Sequence, residues 1–346
     1  MFNPKDFKKK IFSPSINFEE AALELFRFQA SCVPVYQQYV SLLNINPTEI
    51  KSINEIPFLP ISFFKTHELV AANKSQNSNL TYQNLKLQQQ TIFSSSGTTG
   101  IITSRHYVAD LSWYEASFNN GFKYFYGNIQ DYCILALLPS YLEREGSSLV
   151  YMAKHLIKNS KHPDSGFYLN EYGVLIEKLK SLQHQNQKTI LLGVTYALLD
   201  LAELSKLHPW GPGGFGGLII METGGMKGKR KEMVREELHQ QLTSAIGVKQ
   251  IHSEYGMTEL LSQAYSKGHG VFTTPPWMKV LIRDVNDSKT ILSISKTGGI
   301  NIIDLANVYS CAFIATQDLG KATDGEFEIL GRFDESDLRG CNLMVD

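Results

Sequence analysis

Apolar and polar positions follow two rhythms along this chain, and the change between them falls near Thr273. Residues 17–43 carry Leu23, Phe26, Leu43 and other apolar residues at helical spacing, and Pro34 suits the first turn of a second helix better than the middle of one. An N-terminal helical layer is expected there. The apolar and aromatic "FLPISFF", residues 58–64, reads as a segment laid against the body of the fold, and the polar run at 71–90 as exposed turns or short edge strands.

Buried-strand and helix patterns then alternate. "YCILALLP", "QKTILLGV" and "GGLIIMET" are short apolar runs of strand length, separated by the helical patterns "SSLVYMAKHLIKN" and "TYALLDLAELSKL". "KGKRKEMVREELHQQLTSAIG" predicts a long amphipathic helix, and "KQIHSEYGM" a further strand and turn. This order predicts an α/β fold with a largely parallel sheet flanked by helices. Beyond residue 272 the pattern shifts to "KVLIRDV", "TILSIS", "GINIIDL" and "EFEILGR" with Gly and Asp turns between, which predicts a small β-rich part. The expected organisation is a helical layer over 1–90, an α/β core over 91–272 and a β-rich subdomain with a short tail over 273–346.

Composition narrows the classes of function. The 346 residues are 43% hydrophobic, enough for a large core, and the 33 basic and 34 acidic residues leave a net charge of -1. That balance offers no electrostatic case for nucleic acid or an anionic membrane as main partner. The N-terminal "MFNPKDFKKKIFSPS" lacks the apolar centre of a secretory signal, and the longest apolar run, around 134–138, is far too short for a membrane span, so a cytoplasmic protein is expected. Cys32, Cys133, Cys311 and Cys341 are widely spaced, with no C-x-x-C pair and no histidine at metal-ligand spacing, so neither a disulfide scaffold nor a zinc site is indicated. The first three sit in apolar contexts and read as buried thiols.

Against this background, "SSSGTTG" at 94–100 stands out. Its glycines and small hydroxyls can surround a phosphate with backbone N–H groups and without obstruction; a polar linker has the same composition. It is not the P-loop of the NTPases, whose lysine is absent, although Arg105 follows five residues later. "GPGGFG" at 211–216 satisfies G-x-G-x-x-G but leads into a strand, the wrong context for a dinucleotide, and G-x-S-x-G does not occur. "HSEYGMTEL" at 252–260 places an aromatic ring, a glycine, a hydroxyl and a carboxylate beside a strand end, where open α/β sheets bind ligands. Tyr255 can stack on a base, Thr258 touch a phosphate and Glu259 offer oxygen to Mg²⁺, and an ordinary turn with a surface carboxylate would look the same.

The order "SSSGTTG", "METGG", "EYGMTE", "TQDLG", "GRFDESDLRG" resembles the sequential core motifs of the adenylate-forming ligases. "FLPISFFKTHE", "LPSYLER", "PPWMKVLIRD" and "DLRGCNLM" resemble the acyl-protein synthetase family, the ATP-dependent fatty-acyl activating subunit of bacterial bioluminescence reductase complexes. The resemblance runs from about residue 58 to the C-terminus. It implies the large-domain fold of an adenylate-forming enzyme and ATP with Mg²⁺ as cofactors. The phosphate loop would be Ser95, Ser96, Gly97, Thr98, Thr99 and Gly100, and Gly224 and Gly225 would border adenine. Tyr255 would stack on adenine, Thr258 meet the α-phosphate and Glu259 hold Mg²⁺. Asp318 would take the ribose hydroxyls with help from Arg332.

Adenylate-forming ligases continue into a mobile lid with a catalytic lysine, whereas this sequence stops at Asp346, so the lid is expected to be absent, with Arg105 and Lys227 the weak candidates for the lysine's role. The resemblance makes Cys341 the residue that accepts the acyl group as a thioester for delivery to a reductase or transferase, and Arg339 beside it favours the thiolate modestly. A chance free thiol near a terminus is the alternative. Tyr141 and Arg144 are candidates to contact the substrate carboxylate, and the apolar "GVTYALLDLA" suits a fatty-acyl pocket or a core equally. The basic run at 227–235 reads as a solvated helix face or a docking surface, and His106 and His252 lie beside motif residues. The reading is ATP-dependent formation of acyl-AMP from a carboxylic acid, a fatty acid first of all, then capture on Cys341 and delivery to a partner protein. Alternatives are a coenzyme A ligase-like enzyme releasing the acyl group to a free thiol, and a non-catalytic nucleotide- or acyl-binding scaffold.

Overall fold

The computed structural model describes residues 2–72, 91–95, 102–139, 146–205, 217–224 and 233–332. The chain divides into two compact units: residues 1–118, 257–262 and 274–346 form one, and 119–256 with 263–273 the other.

The first unit opens with α1 (Pro4–Ile11), α2 (Phe18–Cys32) and α3 (Pro34–Leu42). Asn3 and Asn17 cap the first two helices by accepting the amides of Lys5 and Glu20, and Pro34 stands at the start of α3, where its missing N–H costs nothing. The next elements are β1 (Leu59–Pro60), α4 (Phe63–Thr66), the antiparallel pair β2 (Thr91–Ser94) and β3 (Arg105–Val108), and α5 (Leu111–Tyr126), within which the division between units falls.

The second unit carries the alternating pattern: β4 (Cys133–Leu137), α6 (Ser148–Ser160), β5 (Gly166–Phe167), α7 (Tyr172–His184), β6 (Thr189–Val194), α8 (Thr195–Ser205), β7 (Leu218–Thr223), α9 (Arg235–Ile246) and β8 (His252–Tyr255). Strands β5, β4, β6, β7 and β8 lie side by side in that order, all parallel, as the pattern predicted. Every residue of β4 and β6 is buried, which is what a parallel sheet covered on both faces requires. The antiparallel strands β9 (Ala264–Ser266) and β10 (Val271–Thr273) extend this sheet from β8. Helix α9 is shorter than its sequence suggested: Val234 is extended, and the helix begins at Arg235 with Glu236 and Glu237 in its first turn, where the helix dipole favours acidic residues.

The first unit closes with β11 (Met278–Arg283), β12 (Thr297–Asp304), β13 (Phe313–Ala322) and β14 (Glu326–Arg332), an antiparallel meander with β1 added parallel to β13. "TILSIS" is not a strand; it contributes one bridge, Ile291 to Arg283. The N-terminal helices pack here: Phe26, Tyr36 and Phe58 surround Phe313 with ring centroids 5.9, 6.0 and 6.3 Å away. "FLPISFF" therefore is laid against the fold, through β1 and Phe58. Cys32, Cys133 and Cys311 are buried, and burial pushes the Cys133 and Cys311 thiols up to about 11 and about 12. Among the described residues no helix is long and apolar enough to cross a membrane.

Candidate functional site

In the first unit, the glycine-rich stretch follows β2 and precedes β3 along the chain, and Ser94 and Ser95 are its described residues. Its base is closed by Ser95, whose N–H donates to Ser104 O at 3.0 Å and whose hydroxyl accepts the Ser104 N–H at 2.9 Å. The Ser104 side chain faces the Glu259 carboxyl and favours its charged form. Glu259 is only 5% exposed, and burial raises its carboxyl above the ordinary range, against the lowering pull of Ser104 and Arg332; Asp318 adds to the rise. Ser95, Glu259, Asp318 and Arg332 thus belong to this one unit.

Asp318 and Arg332 are direct cross-strand partners on β13 and β14, with Arg332 Nε 3.6 Å from Asp318 Oδ1. The Asp318 N–H donates to Thr316 Oγ1. A residue missed from sequence supports them: the buried Arg283 donates to the carbonyls of Ile300 and Thr316 and to Asn301 Oδ1, at 2.6 to 2.9 Å. Desolvation draws its guanidinium down to about 10, and Asp318 opposes that shift. A Cβ on Gly299 would come within 2.5 Å of Arg283 Cζ, so a glycine is what leaves room for the guanidinium.

Thr258 and Glu259 lie on a short loop, and His106 meets that loop from β3. Its Nδ1–H donates to Thr258 O at 2.8 Å, and Nε2 lies 3.1 Å from Asn307 Oδ1. Burial pulls this histidine down to about 4, against the raising pull of Thr258 O and Asn307. Arg105 is exposed, its guanidinium 5.9 Å from the Tyr107 ring centroid.

In the second unit, the C-terminal ends of β7 and β8 carry the other motif residues. Gly224 follows β7 at φ 52°, in the left-handed region that glycine enters without strain. Tyr255 ends β8, buried, with its ring edge-on to Phe272 at 6.0 Å. Two carboxylates missed from sequence stand beside them. The β7–β8 register places Thr223 opposite Glu254, and its hydroxyl donates to Glu254 Oε2 at 2.5 Å. Desolvation, helped by the Glu222 charge, raises Glu254 to about 7 in spite of that bond. Glu222 is buried too, but His239 and Arg235, 3.8 and 3.9 Å from its Oε1, outweigh desolvation and hold it below its ordinary value. Thr195, at the start of α8, donates to its other oxygen. His252 meets the Tyr126 hydroxyl at 3.1 Å, and burial draws it down to about 4. Of the α8 residues proposed for an acyl pocket, Thr195 to Leu199, Leu201 and Ala202 are buried.

Ser96, Gly97, Thr98, Thr99, Gly100, Gly225 and Cys341, with Tyr141, Arg144, Lys227 and the "GPGGFG" stretch, lie outside the described residues. Among the described residues no group of three or more His, Cys, Asp or Glu forms a metal cluster.

The chain is similar in structure to ATP-bound MatB from Rhodopseudomonas palustris, with TM-score 0.51 and 19% identity over 70% of this chain and 47% of that one. It is also similar to a 2-hydroxyisobutyryl-CoA ligase in the postadenylation state in complex with R3-HIB-AMP, with TM-score 0.64 and 13% identity over 97% of this chain and 73% of that one. This chain therefore spans about half the length of MatB. Both likenesses bear on the fold, which is that of the adenylate-forming ligases. No curated protein matches the sequence. The family model described as "Acyl-protein synthetase, LuxE" matches residues 6–346, nearly the whole length, and the chain belongs to that family.

Proposed function

We propose that this protein activates a carboxylic acid, a fatty acid in the first instance, with ATP and Mg²⁺, and passes the acyl group through Cys341 to a partner protein such as an acyl reductase. The observation that carries the reading is the convergence of Ser104, Glu259, Asp318 and Arg332, contributed by the residue just before β3, the motif loop and the β13–β14 pair, within one compact unit.

Glu259 fits a Mg²⁺ ligand. It is a hard oxygen donor whose burial disfavours the bare anion, and a divalent cation would favour it. A single protein carboxylate suffices for Mg²⁺ that takes its remaining oxygens from phosphates and water. The ion, when bound, neutralises charge on the phosphates. Thr258 then offers a hydroxyl beside the α-phosphate, and Asp318, held between Arg332 and Arg283, accepts from the ribose hydroxyls. Tyr255 supplies an aromatic face for adenine, and Gly224 allows close backbone approach. In the first step a substrate carboxylate oxygen bonds to Pα, the Pα–O bond to the β-phosphate breaks and pyrophosphate leaves. In the second the Cys341 thiolate bonds to the acyl carbon, the acyl–O bond to AMP breaks and AMP leaves; the departing phosphate needs no proton.

Incubation with ATP, Mg²⁺ and labelled fatty acid, followed by denaturing electrophoresis and hydroxylamine treatment, tests both steps. A hydroxylamine-labile label on the wild type that Cys341→Ala lacks is expected. Carboxylate-dependent ATP–pyrophosphate exchange without any label would move the acceptor to a separate thiol, as in the coenzyme A ligase alternative. Absence of both across a panel of acids would leave a binding scaffold.

A further inference from the structure

The loop that bears Thr258 and Glu259 is held by side chains from two distant parts of the first unit, β3 and the end of β12, and the second of these is braced from α2. Asn307, just after β12, donates Nδ2 to the Glu259 carbonyl at 3.0 Å and to the Cys311 carbonyl at 2.9 Å. His106 holds the preceding carbonyl, that of Thr258, and its Nε2 faces Asn307 Oδ1. Asp304, the last residue of β12, accepts the amides of Leu261 and Ser262 at 2.7 and 2.9 Å and the Ser262 hydroxyl at 2.5 Å. Asn307 is in turn fixed from α2. Gln29 donates Nε2 to the carbonyls of Asn307 and Val308 at 2.7 and 2.9 Å, and its Oε1 accepts the Ala312 N–H at 2.9 Å.

Gln29, His106, Asp304 and Asn307 are each 0 or 1% exposed. Buried polar side chains are costly unless satisfied, and a satisfied network makes a segment rigid and specifies one arrangement. Here the partners are overwhelmingly backbone groups of 257–262 and of the turn that carries Asn307. With successive carbonyls held by His106 and Asn307, the peptide planes on both sides of Glu259's Cα lose freedom. The direction of its Cα–Cβ bond is thereby set. An apolar core would hold α2 in place equally well, but it would not orient two particular carbonyls.

We infer that Gln29, Asn307 and His106 form a positioning relay through which the N-terminal helix α2 sets the Thr258–Glu259 peptide. The inference rests on the roles proposed above for those two residues. Removing a supporting hydrogen bond behind a metal-holding group typically lowers metal affinity or activity about 10- to 100-fold.

The experiment uses Gln29→Glu and Gln29→Met, which keep the side chain's length, together with His106→Asn and His106→Leu; a buried, protonated glutamic acid keeps one donor where Gln29 uses two, and methionine keeps none. Asparagine can set a donor where Nδ1 stands; leucine cannot. ATP–pyrophosphate exchange is measured against Mg²⁺ concentration, and amide hydrogen exchange is followed at residues 260–262. Both Gln29 variants and His106→Leu should need roughly 10-fold more Mg²⁺ for half-maximal rate. They should exchange those amides about 10-fold faster while β4 and β6 stay protected, and His106→Asn should stay within about 3-fold of wild type. Variants that merely melt earlier, with wild-type Mg²⁺ dependence and amide protection in the folded protein, would overturn the relay. Should Gln29 variants fail to fold, the His106 pair decides by the same criteria. A wild type with no exchange activity on any acid would sink the proposed roles of Thr258 and Glu259, and amide protection alone would then decide whether the relay holds the loop.

Discussion

Arg332 is 67% exposed on its side chain, so its ion pair with Asp318 is screened and contributes little to folding, within about 1 kcal/mol. Under the proposed function the same pair addresses the nucleotide. Arg332→Ala should therefore leave urea unfolding within about 1 kcal/mol of wild type while raising the KM for ATP about 10-fold; a parallel loss of stability and affinity would contradict that split. Thr223 presents the opposite case. Its hydroxyl serves a desolvated carboxyl, and Thr223→Val should destabilise the fold by about 1 to 3 kcal/mol. It should also push the Glu254 carboxyl above its present value of about 7, which a ¹³C carboxyl titration reads directly. Gly256 belongs to the same account, since a Cβ there would overlap Glu254 Oε1. From sequence alone Tyr255, Thr258 and Glu259 drew attention as a motif, but Glu254 passed as an ordinary strand residue. What distinguishes it is the residue opposite on β7, and register is not written in local pattern.

At the scale of elements, the parallel strands were legible because burial on both faces demands continuous apolar runs, as in β4 and β6. Helices α2 and α3 were legible from periodicity and Pro34. Strand β13 was not: "FIATQDLGKA" turns polar halfway, because its second half leaves the core to present Asp318. "TILSIS" erred the other way, alternating like a strand while gaining only one bridge. The passage from β6 into α8 shows how tightly such elements join. A Cβ at Gly193 would lie 2.6 Å from Leu198 Cδ2, and both residues sit in a buried strand and helix. Gly193→Ala should cost about 1 to 3 kcal/mol in thermal or urea unfolding. Combined with Leu198→Ala, the total loss should fall short of the sum of the single losses, because the smaller side chain removes the overlap; simple additivity would exclude this contact as the cause.

For the whole molecule, buried titratable groups set opposing dependences of stability on pH. His106 and His252, both near 4 when folded against an ordinary value of 6.5, bind fewer protons folded than unfolded between those limits, so their contribution rises with pH through that window. Glu254, raised from 4.5 to about 7, binds more protons folded, so its contribution falls as pH rises through its own window. Glu254→Gln should therefore gain stability more steeply than wild type between pH 5 and 6.5, measured by urea unfolding at each pH; equal slopes would place the Glu254 carboxyl in its ordinary range. These groups also mark the limit of sequence reading. The alternation of elements follows from residue types and local spacing, because periodicity and glycine-rich turns act over a few neighbouring residues, and the order of motifs carries the family resemblance. Which polar groups meet was decided only in three dimensions. Gln29, His106 and Asn307 are far apart along the chain and individually unremarkable, and helix packing and strand register bring them onto one loop, where burial turns ordinary hydrogen bonds into constraints.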